Sequence, residues 1–158
     1  MSVPSPLIHR AVVRPEWVDY NGHMNVAFYV LAFDQATDAL FDRLDIGAAY
    51  VKRANASFFT LEAHICYRRE VREGDALAIA VRVIDLDDKR LHYVSTMTHA
   101  EQGYVAATCE WLSIHVDMNT RRSAAFPPEV KARLAALKAE HDALPPSDAV
   151  GRRIGLKR

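Results

Sequence analysis

The 158-residue sequence has little cysteine, no bias of charge and no long apolar run. Its two cysteines, Cys66 and Cys109, lie in strand-like segments without the Cys/His spacing of a metal site, so we expect free buried thiols and no bound metal. Basic and acidic residues both number 20, which argues against a nucleic-acid-binding surface. The longest apolar run, Val26 to Phe33, is far shorter than the ~20 residues that span a bilayer, so we expect no membrane partner.

The N-terminal residues "MSVPSPLIHR" do not form a secretory signal, and free thiols fit a reducing compartment. We therefore expect a cytoplasmic protein. Half of the residues are apolar, which is enough for a core, and a chain of this length is usually one domain. We place that domain at residues 1–141. Residues 142–158 are rich in proline, glycine and basic side chains, which predicts a loosely held tail.

Hydrophobic periodicity predicts a strand, a long helix, four more strands and a final helix. The long helix begins after the N-cap Asn25, runs to about Leu44 and should be buried at its start, since its first two turns are apolar nearly all round. Its aspartates form a second face that we expect to be solvated: Asp34, Asp38, Asp42 and Asp45. Strands are predicted at residues 7–14, 57–71, 76–86, 90–100 and 104–118, and the last helix at residues 129–141.

Short turns join the last four strands, which predicts an antiparallel meander. One of these turns is the hairpin at residues 73–75. A sheet with one long helix against one face is an α+β arrangement. The helix leaves one edge and one face of the sheet uncovered, which suggests a partner subunit.

The turn before the long helix carries the residues with the clearest chemistry. Asp19 lies three positions before Gly22, and the helix that follows leaves unpaired backbone N–H groups at its N-terminus. Such donors stabilise the oxyanion that develops on a thioester carbonyl, and a carboxylate beside them can attack the carbon or activate a water. Asp19 also fits a plain turn cap, and His23 fits a structural hydrogen-bonding residue. Local chemistry leaves these interpretations open.

The segment "VDYNGHMNVAFYV" resembles the signature of hotdog-fold acyl-CoA thioesterases of the 4-hydroxybenzoyl-CoA thioesterase type. That signature is Asp-x-x-Gly-His-(Val/Met)-Asn, followed by an aromatic-rich helix. The order of predicted elements over residues ~7 to 118 is also similar to that of the hotdog fold. The resemblance implies a curved antiparallel sheet of about five strands wrapped around one long helix, with a C-terminal helix. It also implies hydrolysis of a small acyl-CoA to the free acid and CoA.

The resemblance assigns roles position by position. It implies that Asp19 is the general base or nucleophile and that the Val26 backbone N–H is the oxyanion donor. Gly22 would allow close approach of acyl group and backbone, and His23 and Asn25 would shape the site. Coenzyme A is part of the substrate rather than a cofactor, and the site lies between the subunits of a homodimer or homotetramer. Candidate cations for the CoA phosphates are Arg68, Arg69, Lys89, Arg90, Arg121 and Arg122.

Two further polar residues lie in the apolar strand segment "FFTLEAHICY". Glu62 is expected near the centre of the predicted sheet, where a carboxylate is unfavourable unless it is paired. Since some hotdog thioesterases use a carboxylate of the opposing subunit, Glu62 is a candidate catalytic residue. His64 has the same parity along the strand, would share the face of Glu62, and is a candidate substrate contact.

The segments "WVDYNGHMN", "TLEAHICYRREVREGD" and "HVDMNTRRSAAFP" resemble the thioesterases associated with, or fused to, L-carnitine dehydrogenases. That resemblance implies betainyl-CoA or a related short acyl-CoA as substrate. Aromatic faces bind quaternary ammonium groups, so Trp17, Tyr20, Phe28 and Tyr29 are candidate acyl contacts, with a negative charge from Glu62. The same aromatic residues also fit ordinary core and dimer packing.

Two other functions are possible on a hotdog fold. A hydratase or dehydratase typically carries Gly-Asp-x-Asn-Pro-x-His, which this sequence lacks. An acyl-CoA-binding sensor would not need Asp19 and often carries a DNA-binding segment, but no helix-turn-helix precedes residue 7. We therefore favour the thioesterase over both alternatives.

Overall fold

A computed structural model describes residues 6–156. Residues 1–5 and 157–158 lie outside the described residues. The expectation about a secretory signal depends partly on the first of these segments, and the predicted tail includes the second. The helices are α1 (Val26–Arg43), α2 (Ala48–Ala54) and α3 (Pro128–Asp142). The strands are β1 (Leu7–Val12), β2 (Ala56–Tyr67), β3 (Ala76–Leu86), β4 (Arg90–His99), β5 (Val105–Asp117) and β6 (Arg122–Ser123). This is the predicted α+β order, with α2 and β6 added.

The strands form one antiparallel sheet in the order β1-β3-β4-β5-β2, and the short β6 pairs with β5. The prediction of a four-strand meander is wrong for β2, which pairs with β5 instead of β3. Residues 68–75 therefore form a crossover and not a hairpin, and they reach β1, where the Val13 N–H donates to the Asp75 carbonyl at 3.0 Å. Because β2 is an edge strand, the expectation that Glu62 lies near the sheet centre is also wrong.

The sheet curls around α1, which buries one side against it. The buried residues recur at spacings of three and four, as on one face of an α-helix. They are Tyr29, Ala32, Phe33, Ala36, Thr37, Leu40 and Phe41. The predicted burial of the first turn is wrong for this chain, since Val26 is 57% exposed. The helix therefore begins at the protein surface, where a substrate or a second subunit can reach it.

Residues 144–151 pack on the face of the sheet opposite α1, so the expectation of a loose tail is wrong for them, whereas residues 152–156 are exposed. The Arg82 guanidinium donates to the Leu144 carbonyl at 3.2 Å. The Gly151 N–H donates to the Glu110 carboxylate at 2.9 Å, and Ala149 is 4% exposed. Among residues 6–156, no helix combines the length and apolar character needed to cross a bilayer.

Candidate active site

The N-terminus of α1 presents an unpaired backbone donor at the protein surface. Asn25 caps the helix, because its Oδ1 accepts from the Ala27 N–H and its carbonyl accepts from the Phe28 N–H, both at 3.0 Å. The N–H of Val26, the first residue of the helix, has no acceptor among residues 6–156. A free N–H at a helix N-terminus attracts negative charge. This position fits an oxyanion, which is the role predicted for Val26.

Two hydrogen bonds hold the carboxylate of Asp19 beside this helix end. The Asn21 N–H donates to Oδ1 and the Asn25 amide Nδ2 donates to Oδ2, both at 2.8 Å. The bond from the Asn21 backbone, followed by the bond from the Asn25 side chain, lowers the pKa of the Asp19 carboxyl. The group is therefore ionised at neutral pH. Since the same Asn25 side chain caps α1, one residue joins the carboxylate to the helix end that carries the free Val26 N–H.

The turn between Asp19 and the helix depends on the backbone conformation of Gly22. Its φ is +77°, a region that costs residues with a side chain about 1–2 kcal/mol. The Gly22 N–H donates to the Asp19 carbonyl at 3.0 Å, and the Asp19 N–H donates to the His23 carbonyl at 3.3 Å. A Cβ at Gly22 would meet no atom within 4 Å in residues 6–156, apart from its chain neighbours. The structure thus explains glycine at position 22 by its positive φ. Close approach of an acyl group to Gly22 stays a prediction.

His23 links the turn to the crossover at residues 68–75. Its Nδ1 lies 3.1 Å from the Met24 carbonyl, so this nitrogen carries the proton in that bond. Its Nε2 faces the carboxylate of Glu70 at 4.0 Å. These contacts agree with the site-shaping role that the resemblance implied. Sequence analysis did not connect Glu70 with the site, because the crossover was interpreted as a hairpin.

Tyr67, at the end of β2, contacts the first turn of α1. Its hydroxyl donates to the Val26 carbonyl at 3.2 Å, and its ring meets Tyr29 edge to face with centroids 5.1 Å apart. Tyr67 is 47% exposed, so it lies at the rim of the site. Sequence analysis named Tyr29 but missed Tyr67. The Tyr67–Val26 contact joins residues 41 positions apart, and no local pattern marks it.

The aromatic residues on either side of Asp19 differ in their surroundings. Trp17 is 4% exposed and stacks on Phe28 with centroids 5.7 Å apart. The Arg14 guanidinium also lies 5.5 Å from the Trp17 ring centroid. Tyr20 is 97% exposed. Trp17 is therefore a packing residue within one chain, and the predicted contacts of Trp17 and Tyr20 with substrate stay predictions.

Glu62 and His64 lie on the face of the sheet opposite α1. Alternation along β2 puts them on the other face from Tyr67, which contacts α1. There they line a cavity of about 490 Å³ beside the hydrogen bond between His92 Nε2 and Glu110 Oε2, which are 2.8 Å apart. The structure therefore does not bring Glu62 or His64 to the helix N-terminus within one chain.

Two basic candidates for the CoA phosphates differ in their surroundings. Arg68 forms an ion pair with Asp148 at 2.8 Å. The guanidinium of Arg69 lies 4.0 Å from the ring centroid of Tyr104 and pairs with no carboxylate within residues 6–156. Arg69 is thus the stronger candidate of the two. In the same described part of the chain, no three His, Cys, Asp or Glu side chains are placed to hold a metal ion.

Known proteins share both the sequence and the fold of this chain. The model of the thioesterase-like superfamily matches residues 13–134. A betainyl-CoA thioesterase of Pseudomonas aeruginosa is 42% identical over 144 residues, which cover 91% of this chain and 91% of that protein. An L-carnitine dehydrogenase/betainyl-CoA thioesterase of Rhizobium meliloti is 37% identical over 146 residues, which cover 92% of this chain and 29% of that protein.

The fold comparison agrees with the sequence comparison. The solved structure of a Staphylococcus aureus protein in complex with CoA has a TM-score of 0.90 and 27% identity, and the match covers 99% of each chain. This similarity confirms the predicted hotdog fold. Since the family model covers most of the sequence, the chain belongs to the thioesterase-like superfamily of thioester hydrolases.

Proposed function

We propose that this chain hydrolyses betainyl-CoA, or a closely related small acyl-CoA, to the free acid and CoA. The 42% identity to the betainyl-CoA thioesterase of Pseudomonas aeruginosa supports the substrate. One structural observation supports the chemistry, namely that Asn25 joins the ionised Asp19 carboxylate to the free Val26 N–H. A base and an oxyanion donor are the two groups that thioester hydrolysis needs.

In the proposed reaction, the thioester carbonyl oxygen lies against the Val26 N–H. Asp19 takes a proton from a water molecule, whose oxygen bonds to the carbonyl carbon while the C=O electron pair moves to the oxygen. Val26 stabilises the oxyanion. When the tetrahedral intermediate collapses, the C–S bond breaks and the CoA thiolate takes the proton from Asp19. The alternative is direct attack by Asp19, which forms an acyl anhydride that water then hydrolyses.

The variant Asp19→Asn tests this function. We expect it to fold and to lower kcat on betainyl-CoA by about a hundredfold or more, as is typical when a general base is lost. Release of the CoA thiol measures the rate, and Glu140→Gln, an exposed change on α3 with the same loss of charge, is the control. An Asp19→Asn variant with near-wild-type turnover would remove the proposed role of Asp19.

A single turnover in ¹⁸O-labelled water separates activation of water by Asp19 from an anhydride that water opens at the Asp19 carbonyl. If Asp19 activates water, the labelled oxygen enters the acid product in the first turnover. If Asp19 attacks and water then opens the anhydride at the Asp19 carbonyl, the first acid product is unlabelled and Asp19 carries the label. Mass spectrometry of product and protein measures both.

We also propose a homodimer built on the free edge of β2. This strand has 12 residues, and residues 59–63 are exposed, with Phe59 at 41% and Leu61 at 52%. An exposed edge strand with apolar side chains is a template for pairing with another strand. Two antiparallel β2 strands related by a two-fold axis would pair each other's free backbone N–H and C=O groups. Light scattering measures the mass and separates this dimer from a homotetramer of two such dimers. A monomer mass at micromolar concentration would contradict the proposal.

The proposed compartment is the cytoplasm. Both cysteines, Cys66 and Cys109, are free thiols. Free thiols agree with a reducing environment. Fractionation of the source cells, followed by immunodetection, tests this location.

A further inference from the structure

The segment of residues 144–151 crosses the outer face of the sheet, which is the face opposite α1. At β3, the Arg82 guanidinium donates to the Leu144 carbonyl at 3.2 Å. The segment then passes β4, with which it lines a cavity of about 180 Å³. It reaches β5 at its end, where the Gly151 N–H donates to the Glu110 carboxylate at 2.9 Å. Because the strand order is β3-β4-β5-β2, the chain after Gly151 heads toward the free edge of β2.

The five residues after Gly151 carry two apolar side chains that this chain leaves in solvent. We call residues 152–156 the C-terminal arm. Ile154 is 93% exposed and Leu156 is 88% exposed, so residues 6–156 of the same chain do not cover them. Burial of such side chains against an apolar surface is favourable, and exposed apolar groups that lie close together mark an interaction site.

The outer face near the edge of β2 carries a second exposed apolar group. Phe59 is 41% exposed and pairs with Ile114 of β5, which is half-buried. Ile114 lies four residues after Glu110 along β5, and Glu110 is on the outer face. Alternation along a strand therefore puts Ile114 and its partner Phe59 on the outer face as well. We call Phe59 and Ile114 the outer patch.

The faces of β2 indicate how two copies of this strand pair. Thr60 lines a cavity beside α1, Glu62 lines the cavity on the outer face, and the register against β5 shifts between them, as at a β-bulge. Residues that lie opposite each other in two paired strands share a face of the sheet. A two-fold axis between Leu61 and Glu62, perpendicular to the sheet, meets this condition. It sets His64 opposite Phe59 of the second copy.

This pairing places the outer patch of the second copy directly ahead of Gly151. Glu110, which holds Gly151, pairs with His64. Neighbouring strands are about 4.8 Å apart, so Phe59 of the second copy lies two spacings, about 10 Å, beyond Glu110. Ile114 of the second copy lies one strand further, at about 14 Å.

The C-terminal arm has the length to cover these distances. An extended chain advances about 3.3 Å per residue, so Ile154 lies about 10 Å and Leu156 about 16 Å beyond Gly151. The two exposed apolar side chains of the arm can therefore reach the two residues of the outer patch on the second copy. The distances and the apolar character agree on both sides of the contact.

The charges along the path also agree with it. In the proposed dimer the two Glu62 carboxylates lie near the two-fold axis on the outer face, where like charges are unfavourable. Arg152 lines the same cavity as Glu62 in one chain, and Arg153 is exposed. An arm that crosses the edge of β2 carries both arginines past these carboxylates and offsets their repulsion.

We infer that the C-terminal arm of each copy binds the outer patch of the other copy, with Ile154 against Phe59 and Leu156 against Ile114. The contact rests on the proposed homodimer and adds a second interface to the pairing of the β2 strands. Each arm crosses the edge of β2, so the two arms hold the dimer together from the outer face.

The first test removes the apolar side chains of the arm. Ile154→Thr and Leu156→Thr are combined in one variant, and Val12→Thr is the matched control, since Val12 is 55% exposed at the opposite edge of the sheet. Sedimentation with fluorescence detection measures the Kd of the dimer. We expect the double variant to raise this Kd by about tenfold or more, because two side chains lose their burial, and the control to keep the wild-type value. A dimeric wild type with an unchanged Kd in the double variant would overturn the inference alone, whereas a monomeric wild type would overturn the proposed dimer with it.

The second test asks which copy the arm contacts. Phe59→Cys and Ile154→Cys are combined in a Cys66→Ser background, in which the remaining native thiol, Cys109, is buried. After oxidation we expect a disulfide between two chains, seen as a dimer on a non-reducing denaturing gel and mapped by mass spectrometry. Each single variant should stay monomeric on that gel. For Phe59→Cys the reason is distance, because the two positions lie about 16 Å apart along the paired strands, too far for a disulfide. A disulfide within one chain, or none in a protein that sediments as a dimer, would overturn the inference.

Discussion

Replacing Asn25 by serine or by alanine separates the two contacts of its side chain. In the native protein, Oδ1 accepts from the Ala27 N–H at 3.0 Å and Nδ2 donates to Asp19 at 2.8 Å. Serine keeps an acceptor at the N-cap position but has no amide N–H that reaches the carboxylate, and alanine has neither. Comparison of the two variants therefore tests the helix cap and the carboxylate contact independently.

The helix cap sets the expected difference in stability. Replacing a good N-cap residue by alanine lowers the free energy of unfolding by about 1 kcal/mol. For a domain of this size, 1 kcal/mol corresponds to a change in Tm of about 2–4 °C. Asn25→Ala should therefore melt a few degrees below Asn25→Ser. Calorimetry at neutral pH measures both values.

The carboxylate contact sets the expected change in activity, which should be the same in the two variants. Without the Asn25 donor, the pKa of the Asp19 carboxyl rises toward its ordinary value, although the stronger bond from the Asn21 backbone remains. Because Asp19 acts when ionised in the proposed reaction, the acid limb of the pH–rate profile should move to higher pH. Loss of orientation should lower kcat further, by about tenfold.

The assay is thiol release from betainyl-CoA, with kcat and kcat/KM measured across the acid pH range. Asn119→Ala is the control, because this asparagine accepts a side-chain hydrogen bond from Asn55 away from the site. It should keep the wild-type profile. If Asn25→Ser also kept the wild-type acid limb and kcat, Asn25 would not position Asp19. The link between base and oxyanion donor would then be refuted.

Three further predictions concern stability and reactivity. Gly22→Ala should lower the free energy of unfolding by about 1–2 kcal/mol, measured with urea, because φ is +77° there; an unchanged midpoint would contradict the strain argument. The backbone N–H of Lys89, followed by the side chain of Arg90, lowers the pKa of Asp87 to about 2 from 3.8. This stabilisation is complete above pH 3.8 and is lost as pH falls through 2, so Asp87→Asn should flatten that part of the Tm–pH curve, and an unaltered curve would refute it. Burial raises the pKa of Cys109 to about 12, so iodoacetamide at pH 8 should spare it until the protein unfolds; rapid native alkylation, mapped by mass spectrometry, would contradict this.

The sequence by itself determined the local structure of the site. An Asn-Gly pair favours a turn with positive φ at the glycine, and Asn25 is a strong N-cap, so a few neighbouring residues fix the path from Asp19 to α1. The bounds of β3 and of α1 also followed from hydrophobic periodicity, because periodicity depends on residues that are close in sequence. The roles of Asp19 and Val26 remain predictions. The short sequence spacing between them nevertheless places the Asp19 carboxylate and the free Val26 N–H on either side of one residue, Asn25.

Only the tertiary structure decided which strands are neighbours. The alternation of side chains along β2 fixes its two faces but not its partner, so pairing with β3 or with β5 fits the sequence equally well. The position of Glu62 was therefore wrong, and the contact of Tyr67 with α1 was missed. The aspartates of α1 were expected to face solvent, and they are exposed, but folding places α2 and β2 around Asp34 and Asp38 as cavity walls. Contacts between residues this far apart in sequence form only when the chain folds, and no local pattern encodes them.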